Sequence, residues 1–260
     1  MISRTELEEY ARLKQLNVGQ AEKDYFQQIV LFILYSHFGK ELVFKGGTAL
    51  SKAYGLGRFS EDLDFTLSRE EKVIEIVYQG LKKFYLEAEI EEKKSRFSFS
   101  HILRIKGPLY NGVRHSLCKL ELDFSLREKV ILEPKIVTLG RLLRELPSFE
   151  VVVMAKEEIL AEKVRAIITR TKARDVYDLW FLLQENITID VDMINEKLRF
   201  YNLKYSFTEF KKHLNLKKEI WETELNPLVA EVPGFTLVRR GILEKMKRKY
   251  GVTPVYRTVG

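Results

Sequence analysis

From Lys45 to Leu67 the chain reads KGGTALSKAYGLGRFSEDLDFTL, and no other stretch limits the possible folds as much. Two adjacent glycines and a Thr lead into a short helical segment, a glycine-punctuated loop, and strict alternation over Asp62-Leu63-Asp64-Phe65-Thr66-Leu67. Such alternation predicts a strand with one buried face. Leu63, Phe65 and Leu67 take that face, which leaves Asp62, Asp64 and Thr66 together on the other. The two carboxylates then project the same way from α-carbons roughly 6.5 to 7 Å apart.

The flanking sequence supplies partners for this strand. Ser3 with Glu6 is a capping-box pattern for a helix to about Leu16, and the apolar residues from Ala21 to Phe38, stopped by Gly39, predict a core helix. His37 near its end suits the C-terminal dipole better than a ligand role. Glu41 to Phe44 is a short strand, Leu50 to Tyr54 a short helix, and Arg69 to Leu86 an amphipathic helix. Strands follow at Phe97 to Lys106, Lys119 to Leu126 and Val151 to Met154, separated by turn signals. In the second of these, Leu120, Leu122, Phe124 and Leu126 share a face, leaving Asp123 on the other as a third candidate carboxylate. After Met154 the pattern is helical: Lys156 to Thr169, Asp175 to Leu183, Asp192 to Phe200, Phe207 to Trp221 and Leu237 to Tyr250. The expected division is a core over residues 1–154 with N-terminal helices and a helical lobe over 155–260.

Composition restricts the chemistry. The 260 residues are 45% hydrophobic and 31% charged, typical of a globular protein and too balanced for disorder. The longest apolar run, Ile29 to Tyr35, is too short to cross a bilayer, and MISRTELEEY lacks a signal-peptide core, so the expected location is the cytoplasm with no membrane partner. A single cysteine, Cys118, and four histidines without ligand spacing argue against a Cys/His metal site, so any metal is held by oxygen. The net charge of +7 is compatible with a nucleic-acid partner and equally with none.

Carboxylates at Asp62 and Asp64, joined by Asp123 from a neighbouring strand, suit magnesium, which takes carboxylate and phosphate oxygens; Asp123 could also accept a hydroxyl proton. Gly46 and Gly47 let backbone N–H groups approach phosphates, Thr48 adds a hydroxyl near a helix start, and Lys52 and Arg58 are nearby cations. The plain alternative is a tight turn before an ordinary amphipathic strand. Lys163, between Ile159 and Ile167 on its helix, lies at the edge of the apolar arc, either snorkelling over the core or required inside; Arg170 continues its stripe. Asp175 opens the next helix, where it either serves the dipole or points over Leu179 and Leu182 towards a ligand or Lys163, with Asp178 beside it or paired to Arg174. The basic run from Leu237 to Tyr250 is either an RNA grip, with Tyr250 or Tyr256 stacking, or a solvated helix end.

With GGTALSK…GRFSEDLDF and EEILAEKVRAIITRTKARDVYDLW both in view, the chain closely resembles the AbiEii/AbiGii-type nucleotidyltransferase family. These are toxins of type IV toxin-antitoxin systems and include the MenT-like enzymes. The likeness covers most of the chain, including a tail with Trp221 and Pro233. It implies an α+β fold: a polymerase-beta-type nucleotidyltransferase core, a mixed sheet with flanking helices, plus a helical C-terminal lobe. By the resemblance, Gly47-Thr48 matches the Gly-Ser phosphate turn, Asp62 and Asp64 the metal pair, Asp123 the later lone acid, Lys163 the lysine of the helical motif and Asp175 the acid of the last motif. Thr replaces the usual Ser, the gap to Asp62 is slightly longer, and Arg174 stands for lysine before the last acid; hydroxyl and charge are kept.

The implied reaction is magnesium- or manganese-dependent transfer of a nucleoside monophosphate from a nucleoside triphosphate to RNA, notably the 3′ end of tRNA, which blocks translation. A cognate antitoxin is an implied partner, and the triphosphate is expected in a cleft between lobes. Transfer to a protein or small-molecule hydroxyl, or nucleotide binding without turnover, are the rival readings.

Overall fold

Two capping boxes start the chain's fold in this computed structural model, which describes all residues except 68–71, 96–97, 127–128, 141–142, 144, 186 and 249–260 and, for Arg248, the backbone alone. Helix α1 (Arg4–Lys14) begins where the Ser3 N–H donates to Glu6 Oε2 at 2.7 Å and the Glu6 N–H donates to Ser3 Oγ at 3.2 Å. Helix α2 (Val18–Phe38) has a second box, with Gln20 N–H donating to Asn17 Oδ1 at 2.9 Å, and stops at Gly39, whose φ is +51°. The chain forms two compact units, Met1–Ala155 and Lys156–Gly260.

In the first unit β1 (Leu42–Lys45), α3 (Gly46–Tyr54) and β2 (Leu63–Leu67) are followed by α4 (Val73–Lys83). Then come β3 (Ala88–Lys94), β4 (Ser98–Ile105), β5 (Cys118–Ser125), β6 (Lys135–Leu139) and β7 (Phe149–Val153). Among the described residues these make one seven-stranded mixed sheet in the order β3-β4-β5-β2-β1-β7-β6, with β2/β5 and β1/β7 parallel and the other pairs antiparallel.

One row of aromatics pins the central register. Phe44, Phe65, Phe124 and Phe99 are direct partners across β1, β2, β5 and β4. Their ring centroids are 5.4, 5.1 and 4.8 Å apart in that order, and all four are buried. Each such pair adds about 0.5–1.5 kcal/mol beyond area burial. A slip of one residue would turn every phenyl ring out of the core, so the row that follows is forced onto the opposite face. That row is Lys45, Asp64, Asp123, Ser100 and Lys93, again direct partners from β1 to β3.

Beyond Lys156 the chain is helical in α5 (Lys156–Thr169), α6 (Arg174–Gln184), α7 (Val191–Arg199), α8 (Phe207–Leu216), α9 (Trp221–Leu225) and α10 (Phe235–Arg248). Helix α5 is the hub, packing on α6, α7 and α8. The expected single helix from Phe207 to Trp221 is in fact two. The chain turns over residues 217–220, and the Trp221 indole donates to the Pro233 carbonyl at 2.8 Å while its ring meets Phe235 at 5.4 Å.

Two strands were not expected. β3, AEIEEKK, is an edge strand held by ladder bonds and by exposed ion pairs such as Arg104–Glu91 at 3.1 Å; β6 forms the other edge. The expected helix start at Arg69, strand start at Phe97 and helix end at Tyr250, with Tyr256, lie partly or wholly outside the described residues. No described helix is long and apolar enough to cross a membrane.

Candidate active site

The sheet register sets Asp64 beside Asp123, direct partners on parallel strands and so roughly 4.8 Å apart at the backbone. Both are partly exposed, on the face opposite the phenylalanine row, and Asp62 stands one residue before β2. Carboxylates are hard, all-oxygen donors. Among the described residues no group of three or more His, Cys, Asp or Glu side chains could hold a metal ion, so the three expected acids do not form one. The neighbouring pair Asp64 and Asp123 fits magnesium on its own, since that ion binds through one or two carboxylates and leaves its other positions to water and substrate phosphates.

Glycine is required at the neck of this site. Gly46, the first residue of α3, has φ +77°, and a Cβ there would strike the Asp64 carboxylate. A Cβ on Gly47 would strike the Arg58 guanidinium and the Ser60 hydroxyl. The two glycines therefore open the helix itself rather than preceding it as a turn. Arg58 is buried and donates to its neighbour's carbonyl, Phe59 O, at 2.9 Å. Thr48 is buried too, and its hydroxyl donates to the Asp62 carbonyl, tying α3 to the loop that carries the first acid.

Lys52 meets a different partner from the one anticipated. Its ammonium is 2.6 Å from Asp24 Oδ1 in a nearly buried pair, and Tyr10 donates to Asp24 Oδ2 at 2.5 Å. Burial alone would raise the Asp24 carboxyl; the Lys52 and Lys14 charges and the Lys52 and Tyr10 hydrogen bonds override it and hold it below its ordinary value. Lys52 thus joins α3 to α2.

In the second unit Lys163 is not snorkelling: it is 5% exposed. Its ammonium lies 2.9 Å from Asp175 Oδ1 and 2.7 Å from Asp178 Oδ2, and both acids are fully buried. Arg170 grips Asp175 with two bonds, Nε to Oδ2 at 2.7 Å and Nη2 to Oδ1 at 2.8 Å. Burial pushes the Asp175 carboxyl up, but Lys163 and Arg170 outweigh it and hold it well below the usual carboxylate range. Buried Lys217, just after α8, is pulled down by burial while Asp175 and Glu224 pull it up, and Glu224 accepts from the Ala173 N–H at 2.8 Å at the start of α6.

Sequence reasoning missed Asp24, Gln27, Lys45, Lys217 and Glu224. Asp24 and Gln27 had a signal, as polar residues on a helix otherwise dense in apolar ones. Lys45 had one also, as the lone charge on an apolar strand; it is buried and stands opposite Asp64.

Comparison with known proteins gives a family. The family model "Nucleotidyl transferase AbiEii toxin, Type IV TA system" matches residues 30–243. No curated protein sequence matches significantly. Among solved structures, MenT4, a nucleotidyltransferase toxin from Mycobacterium tuberculosis, is similar at TM-score 0.64 and 18% identity, over 98% of this chain and 91% of its own. JHP933 from Helicobacter pylori is similar at TM-score 0.59 and 19% identity, over 87% and 89% respectively. At these identities the structures speak for the fold alone, and they share the α+β architecture of a mixed sheet with flanking helices.

Proposed function

This chain belongs to the AbiEii nucleotidyltransferase toxin family, and from that premise we propose that it transfers a nucleoside monophosphate from a nucleoside triphosphate to an RNA hydroxyl, at the 3′ end of tRNA, with release of pyrophosphate. The observation that carries this reading is the pairing of Asp64 with Asp123 on adjacent strands, next to a glycine that leaves room for the Asp64 carboxylate. Asp64 and Asp123, with Asp62 from the preceding loop, would hold magnesium, or manganese in its place, and the ion would supply charge neutralisation at the triphosphate and acidify the attacking hydroxyl.

The chain's own groups do the rest. Asp123 takes the proton of the acceptor hydroxyl as its oxygen bonds to the α-phosphorus and the bond to the bridging oxygen breaks. Backbone N–H groups at Gly46, Gly47 and Thr48, at the positive end of α3, suit the phosphates. Arg58 is the cation assigned to the triphosphate. Lys52 is matched by Asp24, and Lys163 and Arg170 by Asp175, so these hold their own helices in place instead. The family's type IV setting implies an antitoxin partner, and the acceptor places the work in the cytoplasm.

Incubation with each labelled triphosphate, magnesium and total tRNA tests the proposal. Labelled tRNA is expected. Label on protein or a small molecule would overturn the acceptor, and binding without pyrophosphate release would overturn transfer. A Gly46→Ala variant is expected to lose about 100-fold in rate, because a shift of about 1 Å at a reacting group costs that much. Gly57→Ala, with open space around the added Cβ, is expected to match the parent in the same assay.

A further inference from the structure

Asp62 sits outside the ladder of β2, at the end of an irregular loop over residues 55–62, yet the reaction needs its carboxylate in a fixed place. Three successive carbonyls of that loop are held by side chains. Thr48 donates to the carbonyl of Asp62. The other two belong to Gln27, whose Nε2 donates to Ser60 O at 2.9 Å and to Glu61 O at 2.9 Å.

Gln27 lies in the middle of α2 and is 1% exposed. Its side-chain amide nitrogen has two hydrogens, and one goes to each carbonyl. Glutamate would set oxygen against oxygen, and asparagine would fall a methylene short. Neighbouring turns of the same helix reinforce the grip. Lys23 pairs with Glu61 at 2.9 Å, and Asp24 pairs with Lys52 of α3, the helix that opens at Gly46. One face of α2 therefore holds both the loop that ends in Asp62 and the helix whose first residue packs on Asp64.

We propose that Gln27 is a positioning residue for the metal site, acting through the Ser60 and Glu61 peptides to set where Asp62 presents its carboxylate. This rests on the metal-dependent transfer proposed above. It lies outside the stretch matched by the family model, which starts at residue 30. Residues that orient metal ligands from behind typically change metal affinity or activity by about 10- to 100-fold when replaced.

The test is Mn2+ binding by the full chain, followed by the electron paramagnetic resonance of free Mn2+, alongside transfer kinetics. Gln27→Met keeps the volume and removes both donors; Gln27→Asn serves if the first variant does not fold. Expected are a Kd for Mn2+ raised about 10-fold or more, kcat reduced to a similar degree, and a KM for the triphosphate within about twofold of the parent. Ile29→Val, a small cavity in the same helix, is the stability control and is expected to lower the thermal midpoint without moving the Mn2+ Kd. The proposal is overturned if Gln27→Met behaves like Ile29→Val, or if Asp62→Ala leaves Mn2+ affinity unchanged. Mn2+ bound by the parent without any transfer would overturn the functional reading alone, since the Kd comparison still decides the role of Gln27. No Mn2+ binding by the parent would overturn both.

Discussion

Replacing Asp64 with alanine is expected to lower nucleotidyl transfer by on the order of 1,000-fold or more while leaving the fold intact. Removing one preorganised group that meets transition-state charge costs about 100- to 1,000-fold, and a metal ligand removes the ion's contribution as well. Stability is expected to hold because the strand is not fixed by this side chain. Phe65, the next residue, is packed between Phe44 and Phe124, and Leu63 and Leu67 are buried with it. Truncation at Asp64 only opens space beside Gly46. The measurements are initial rate with labelled triphosphate and the thermal midpoint by circular dichroism. A variant as active as its parent would remove Asp64 from the site; one that is inactive and unfolded would give Asp64 a packing role that its partial exposure does not suggest.

The same strand explains why the chemistry was legible in the sequence while much of its support was not. Alternation is a local property, so Asp62 and Asp64 on one side and Leu63, Phe65 and Leu67 on the other could be read directly. The face of Asp123 was readable for the same reason. That Asp123 stands beside Asp64 rather than one residue along was not, since register is fixed by the four-phenylalanine row, which joins residues 80 positions apart in sequence order from Phe44 to Phe124. Helix α5 was readable to its ends because its apolar phase is continuous. β3 was not, because AEIEEKK has only Ala88 and Ile90 as apolar residues, buries none of its side chains fully and gains its place from ladder bonds to β4. Side-chain partners were least visible. Lys52 looked like a phosphate ligand from its place near the glycines, but Asp24, on a helix 28 residues earlier, holds it. Gln27 was hidden for the same reason: its partners are backbone carbonyls 33 and 34 residues away.

Replacing Lys163 with methionine is the change with the largest expected effect on stability, roughly 3–5 kcal/mol, because it removes the ammonium shared by two fully buried carboxylates, Asp175 and Asp178. Arg170 keeps its two bonds to Asp175 from a half-exposed position, so part of the cluster's charge stays matched. Loss of transfer in this variant alone would therefore say little about the phosphates. The triple variant Lys163→Met, Asp175→Asn, Asp178→Asn separates the two roles, since replacing a whole buried ion cluster by neutral groups of similar volume is often nearly neutral for stability. Urea unfolding is expected to find most of the lost stability restored in the triple variant, and the labelled-triphosphate assay is expected to find transfer restored with it. Stability and transfer returning together would make the cluster purely a clasp between α5 and α6. Stability returning without transfer would overturn that reading and give the cluster's charges a part in the reaction beyond the clasp.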